Sequence, residues 1–274
     1  MTDMSIFVTK HGETIPKDTL DQVSFRYHRI TKAINQEFWN SDSEDNHSLY
    51  VGSYGRHTAI DTSDIDMLME LPREEYDRYD WAKGNGQSRL LQAVKSAITS
   101  TYPRSDIHAD GQVVVVSFSD GMKFEVLPAF IDYWGSYSYP DTNMGGNWKP
   151  TNPKAEQNAM REKNRSSNGL LADTCKHIRR IKSEYYGSYH LSGIVIDSFV
   201  YSAIGSWRWT LPSEQDTGSS VPKGQYEETL LKYYNDNSWN GQIALTLYAP
   251  GSNQQVDSKN SMECLGKVLR LIVG

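Results

Sequence analysis

Two aspartates one residue apart, Asp64 and Asp66, open the otherwise apolar run TSDIDMLMEL. In an extended strand residues i and i+2 point to the same side, so both carboxylates are expected to project together while Ile65 and Met67 face a core. Two carboxylates on one face repel each other, and at least one pKa rises unless a cation sits between them. A hard, oxygen-seeking ion such as Mg²⁺ removes that conflict, and it is the usual companion of substrate phosphates. A bare D-x-D is by default two solvated aspartates at a strand start, but two further features argue against the default here. Gly52-Ser53 follows a short strand at a fixed short distance upstream; glycine lets the backbone approach a phosphate, and Ser53 adds a hydroxyl and N–H donors. Alone, that pair is only a turn. A third acid, Glu125, lies in KFEVLP between Phe124 and Val126. In mid-strand it is either outward-facing or expensive to bury without a partner or a metal.

The elements that must hold these groups follow from periodicity. Val23, Tyr27, Ile30, Ile34 and Phe38 recur at helical spacing across Thr19–Trp39. Ser48–Val51 and Ile65–Leu71 are strand candidates, the second closed by Pro72. Arg73–Gly86 reads as a polar loop, and Ser88–Tyr102 as a helix stopped by Pro103. VVVVSFSDGMKFEVLPAF places Asp120-Gly121 between two β-rich runs, a pair suited to the positive φ values of a tight hairpin. Ser136–Pro153, rich in Tyr, Gly, Asn and Pro, reads as a long ordered loop whose aromatics either stack on a base or pack against a wall. Helices are expected near Lys154–Asn164, Leu170–Tyr186, Leu191–Trp207, Tyr226–Asn235 and Ser261–Val273, with a loop over Thr210–Gly224. Mixed elements followed by helices imply an α+β fold with a catalytic lobe over 1–150 and a helical lobe over 151–274, the site lying in a cleft between them.

Composition sets the outer bounds. The 274 residues suffice for one large domain or two packed lobes, and 38% hydrophobic with 23% charged residues is ordinary for a globular chain. A net charge of -6 argues against tight, non-specific nucleic-acid binding. The N-terminal ten residues lack the pattern of a secretory signal, and Ile194–Ile204, interrupted by Asp197, is too short to span a membrane. Cys175 and Cys264 are too few for a zinc site and read as buried small residues in a reducing, cytoplasmic setting. The seven histidines form no ligand pattern: His108 lacks partners at ligand spacing, and His57 reads as a surface residue.

Taken together, G-S, then D-x-D, then a distant acid on a neighbouring strand resembles the polymerase-beta-type nucleotidyltransferase superfamily. GSYGRHTAIDTSDIDMLMEL with FEVLPAF is similar to the branch holding 2′–5′ oligoadenylate synthase, cyclic GMP-AMP synthase and the bacterial cyclic-oligonucleotide synthases of anti-phage defence. CKHIRRIKSEYY resembles that branch's spine helix, which puts Lys182 in the place of a triphosphate-binding lysine. LSGIVIDSF resembles the following helix start, which puts Ser192 at a phosphate-contacting serine. Departures are Glu125 where animal members carry aspartate, Gly193 in place of a base-stacking aromatic, and Ala249 in place of the aspartate of a D-P turn. With Gly193 there, base recognition is expected from the Tyr and Trp residues of the 133–148 stretch.

The resemblance implies a bilobed fold and a reaction. Asp64, Asp66 and Glu125 would hold two Mg²⁺ ions, with Mn²⁺ able to substitute. Gly52, Ser53, Lys182 and Ser192 would bind the nucleotide phosphates, with Arg56 either touching phosphate, supporting the loop, or lying on the surface. Ribonucleoside triphosphates would be the substrates and a cyclic-nucleotide-sensing effector the downstream partner, with no nucleic-acid activator and no membrane; the oligomeric state is not readable. Two alternatives stand beside this: the same chemistry on a protein, tRNA or small-molecule hydroxyl, and a catalytically silent nucleotide-binding protein.

Overall fold

The computed structural model describes residues 7–211, 224–239, 242–243 and 245–274, with side chains for all of these except 238, 239, 242 and 243. The chain divides into two units: Pro16–Gly55 with Ser63–Pro153, which contains the acidic cluster, and residues up to Ile15 with Arg56–Thr62 and Lys154–Gly274.

The acidic unit is built on a mixed seven-stranded sheet. Its elements run α1 (Lys17–Trp39), β1 (Ser48–Tyr50), a single helical turn α2 (Gly52–Gly55), β2 (Ile65–Glu70), α3 (Arg73–Asp80), α4 (Gly86–Thr101), β3 (Asp106–Asp110), β4 (Val113–Ser117), β5 (Lys123–Ile131), β6 (Tyr137–Asp141) and β7 (Asn147–Thr151). The strand order is β1-β2-β5-β4-β3, and the far end of β5 turns to pair with β6, which pairs with β7. Strand β2 is antiparallel to β1 but parallel to β5. The burial of β2 and β5 alternates over their N-terminal halves, as a half-covered sheet requires. Ile65, Met67, Phe124 and Val126 pack under Val23, Tyr27, Ile30 and Ile34 of α1 and Leu90, Leu91, Val94 and Ile98 of α4. The opposite side carries the acids and grades into a small apolar cluster around Leu68, Ala129 and Tyr137.

The β4–β5 hairpin forms as expected, but its turn is longer than a two-residue one. Phe118 N–H donates to Met122 O at 2.9 Å and Gly121 N–H to Phe118 O at 3.0 Å. Gly121 takes φ 89° while Asp120 keeps an ordinary φ, the pattern of a three-residue loop closed by a left-handed glycine. Asp120 instead pairs with Arg26 at 2.7 Å.

Two stretches read as loops are regular. Arg73–Asp80 is α3, with Glu74 and Glu75 in its first turn, where they favour the helix dipole. Ser136–Pro153 contains the β6–β7 hairpin, with Tyr137 opposite Thr151 and Asp141 opposite Asn147. Its prolines, Pro140 and Pro150, disguise it in the sequence; β7 is an edge strand, where a missing N–H is tolerated.

The helical unit comprises α5 (Pro153–Ser166), α6 (Leu170–Tyr185), α7 (Gly193–Ala203), α8 (Gln225–Asp236) and α9 (Met262–Val273), with the short pairs β8 (Ser238–Trp239)–β9 (Gln242–Ile243) and β10 (Leu247–Tyr248)–β11 (Gln255–Val256). Helix α7 is shorter than Leu191–Trp207 because Ser192 is extended and Gly205 takes φ 55°. Cys175 and Cys264 are unpaired and buried in this unit's core. Ala249 is a core residue too. Most of the loop expected over Thr210–Gly224 lies outside the described residues. Among the described residues no helix is long and apolar enough to cross a membrane.

Candidate active site

The parallel pairing of β2 with β5 sets Asp66 directly beside Glu125 in register, on strands about 4.8 Å apart. Asp64 lies one residue before β2, two positions before Asp66. All three expected acids therefore belong to one end of one sheet face. Glu125 also pairs with Val115 across β4, so the acid sits in the interior of the sheet, where its position is fixed on both sides.

Lys123 adds a group that sequence reasoning missed. It precedes Glu125 by two residues and so shares its face. Its Nζ lies 2.6 Å from Glu125 Oε1 and 3.1 Å from Asp64 Oδ2. Burial alone would lower the ammonium's pKa, but the hydrogen bonds to Glu125 and Asp64 outweigh it and raise the pKa above the ordinary lysine value. The only sequence signal was the i, i+2 spacing of a cation and an acid in an otherwise apolar strand.

Gly52 is required here for two reasons. Its φ of 55° lies in the left-handed region, and a Cβ on it would run into the Asp66 carboxylate. The turn is bound to the same residue by backbone: Val51 N–H donates to Asp66 O at 2.9 Å, and Gly55 N–H to Val51 O at 2.9 Å. Ser53 is buried within the turn. The G-S element and the D-x-D element are thus one packed object, which explains their fixed spacing. Replacing Gly52 by alanine costs about 1–2 kcal/mol in backbone strain and displaces Asp66. A carboxylate shift of about 1 Å lowers turnover on the order of a hundredfold, with circular dichroism unchanged. Wild-type turnover in Gly52→Ala would show that the close approach is incidental.

Arg56 does not present itself to solvent. Its Nε donates to Asp197 Oδ2 at 2.8 Å and its Nη1 to Glu156 Oε2 at 3.0 Å, all within the helical unit. Asp197, fully buried on α7, also accepts from Thr58 Oγ1 at 3.0 Å and from Arg179 Nη1 and Nη2 at 2.7 and 2.9 Å. Burial pushes the Asp197 carboxyl up, but Arg179 and Arg56 overrule it and hold the pKa at about 2. Glu156 goes the other way: burial raises it beyond what Arg56 offsets. Of the readings for Arg56, the surface position is replaced by a buried ion network, whose sequence signal was a lone aspartate inside GIVIDSFV.

Lys182 stands half-buried in the last turn of α6; burial raises the Cys264 thiol pKa more than the charge of Lys182 lowers it. Ser192 precedes α7; its N–H donates to Ser261 Oγ at 3.1 Å, and its own Oγ is buried with no hydrogen-bond partner among the described residues. Gly193, where a stacking aromatic was looked for, packs on Arg179: its O accepts from Nη2 at 3.0 Å, and a Cβ would lie 3.0 Å from that same nitrogen. The aromatics of 133–148 divide. Trp148 packs edge-on to Phe130 at 5.5 Å and beside Tyr76, and Tyr137 is buried. Tyr133 and Trp134, 92% and 85% exposed at the β5–β6 turn, are open to solvent.

The donor set of Asp64, Asp66 and Glu125 is oxygen only, which suits a hard divalent cation. Among the described residues no three His, Cys, Asp or Glu side chains converge as ligands; in this cluster the Lys123 ammonium lies between two of the acids. The residues fit a divalent ion in kind, with Lys123 as the competing cation.

A mixed sheet carrying a glycine-serine turn packed on a D-x-D strand, with the third acid in parallel register beside it, defines a polymerase-beta-type nucleotidyltransferase fold. Over residues 1–164 the chain matches the Second Messenger Oligonucleotide or Dinucleotide Synthetase domain, and it belongs to that family. It is 23% identical over 195 residues to a probable cyclic nucleotide synthase of Bacillus cereus (strain VD146), covering 65% of this chain and 58% of that protein, so the match spans less than two thirds of the relative's length. The CdnE cyclic dinucleotide synthase of Elizabethkingia meningoseptica, solved with GTP and Apcpp, superposes with a TM-score of 0.64 at 14% identity, over 94% of this chain and 97% of that one. A STING-associated CdnE c-di-GMP synthase from Capnocytophaga granulosa gives a TM-score of 0.63 at 13% identity, over 92% and 80%.

Proposed function

We propose that this protein is a metal-dependent nucleotidyltransferase that joins ribonucleoside triphosphates into a cyclic di- or trinucleotide second messenger, serving anti-phage defence signalling in the cytoplasm. The observation that carries the reading is the register of Asp66 beside Glu125 with Asp64 on the same face. Family membership over residues 1–164 supports the product class, and the relative solved with GTP and Apcpp supports triphosphate substrates.

In this reaction a ribose hydroxyl oxygen bonds to the α-phosphorus of a second nucleotide as the α–β bridging P–O bond breaks, and pyrophosphate leaves with that electron pair. Asp64, Asp66 and Glu125 would hold two Mg²⁺ ions, or Mn²⁺ in their place, which supply Lewis-acid stabilisation of the attacking and leaving oxygens. Glu125, fixed in mid-sheet, takes up the hydroxyl proton. Gly52 and Ser53 present backbone N–H groups to the β- and γ-phosphates. Lys182 and Ser192 enter as phosphate ligands on the strength of the family resemblance, with the buried Ser192 hydroxyl, which has no partner among the described residues, as the local support. No covalent intermediate with the protein is needed; positioning and electrostatics account for the rate.

The test is pyrophosphate release. Purified protein with ribonucleoside triphosphates and Mg²⁺ or Mn²⁺ is expected to release pyrophosphate, and EDTA to stop it. Intact triphosphates under every metal and nucleotide combination would contradict an active transferase.

A further inference from the structure

We propose that Lys123 is an internal counter-ion of the acidic cluster, which a divalent cation displaces on entry and which therefore sets the cluster's metal affinity. The inference rests on the proposed metal-binding role of Asp64, Asp66 and Glu125 and adds a residue that this role does not require.

The geometry is specific. Lys123 and Glu125 share one strand face, and the ammonium spans from Glu125 Oε1 at 2.6 Å to Asp64 Oδ2 at 3.1 Å. It thus neutralises two of the three acids, which would otherwise repel each other on a fixed sheet. Strand β5 is held in place by β2 on one side and β4 on the other, so the backbone cannot open to relieve that repulsion. The side chain can move: Lys123 is about one-third exposed, and its long stem allows the ammonium to leave towards solvent. A divalent ion placed on the same oxygens would meet the ammonium at close range, and two cations sharing one set of carboxylates repel. Metal binding and lysine departure are therefore one exchange, with the strand left as it is.

Two consequences separate this from an ordinary surface ion pair. Removing the ammonium takes that counter-ion from Asp64 and Glu125 without metal but makes them better donors with it. Keeping the charge with a different shape preserves the competition. The experiment is a direct Mn²⁺ titration, read by electron paramagnetic resonance of free Mn²⁺, on the wild type, Lys123→Met and Lys123→Arg, with thermal midpoints in EDTA and in saturating Mn²⁺. Lys123→Met is expected to bind Mn²⁺ about tenfold more tightly, the scale of one partly screened charge at contact distance. Its melting midpoint should fall in EDTA and recover in Mn²⁺. Lys123→Arg should keep wild-type affinity. Equal Mn²⁺ affinity in the wild type and Lys123→Met would overturn the counter-ion role. An Asp64→Asn, Asp66→Asn control separates the two layers: if the wild type binds Mn²⁺ and the control binds it equally well, the proposed metal site itself is wrong, whatever Lys123 does.

Discussion

Asp64→Asn combined with Asp66→Asn is expected to abolish turnover while leaving the protein folded. Each asparagine keeps the size and hydrogen-bonding reach of the aspartate but removes its charge, and with it the ability to bind a divalent ion strongly. Loss of several kcal/mol of charge stabilisation at the reacting phosphate corresponds to a rate decrease of about a thousandfold or more. The fold should tolerate the change because the packing of β2 depends on Ile65, Met67 and Met69 on the other face, not on the acids. Unchanged circular dichroism beside absent pyrophosphate release is the expected pair of results. A folded double variant with full activity would remove the acids from the chemistry.

The second large effect concerns stability in the helical unit. Asp197 has no exposure and accepts hydrogen bonds from Arg56, Thr58 and Arg179. Asp197→Asn leaves two buried guanidiniums without their shared anion, a loss of about 3–5 kcal/mol against a total stability of about 5–15 kcal/mol. The urea midpoint at neutral pH should fall accordingly. The pH dependence has a definite sign. The folded pKa of about 2 lies below the ordinary 3.8, so Asp197 contributes stability that is complete above the unfolded value and is lost as pH falls from near 4 towards 2. Wild-type stability should drop through that window more steeply than that of Asp197→Asn. Parallel pH profiles for the two proteins would show that the aspartate is not held ionised by the arginines.

The parts of this molecule legible in its sequence are those fixed by local spacing. The i, i+2 rule placed Asp64 and Asp66 on one face, and the apolar runs around Asp120-Gly121 marked the β4–β5 hairpin that carries Glu125. The helical periods of α1, α4, α6 and α9 were equally plain. What was illegible depends on partners distant in the chain. Strand β3 buries chiefly Ile107, so it lacks an alternating apolar signal and exists because β4 pairs with it. The β6–β7 hairpin is hidden by Pro140 and Pro150, the second of which lies on the edge strand β7. Lys123 meets Asp64 only because β5 lies parallel to β2, and nothing in KFEVLP states which strand will be its neighbour. Arg56 follows GSYG in the sequence, but two of its partners, Glu156 and Asp197, are 100 and 141 residues away. Gly193 carries a related lesson. Its lack of a side chain looked like a missing base platform, and it is also the residue that lets Arg179 pack against the start of α7.

The proposed reaction joins nucleotides to one another and closes the product. The most direct measurement incubates the purified protein with all four ribonucleoside triphosphates and Mg²⁺ or Mn²⁺, treats the mixture with phosphatase, and identifies the survivors by mass spectrometry. A phosphatase-resistant species with the mass of a cyclic di- or trinucleotide, absent from the Asp64→Asn, Asp66→Asn variant, is the predicted result. Pyrophosphate release with no resistant oligonucleotide, the nucleotide appearing instead on a different acceptor, would contradict it.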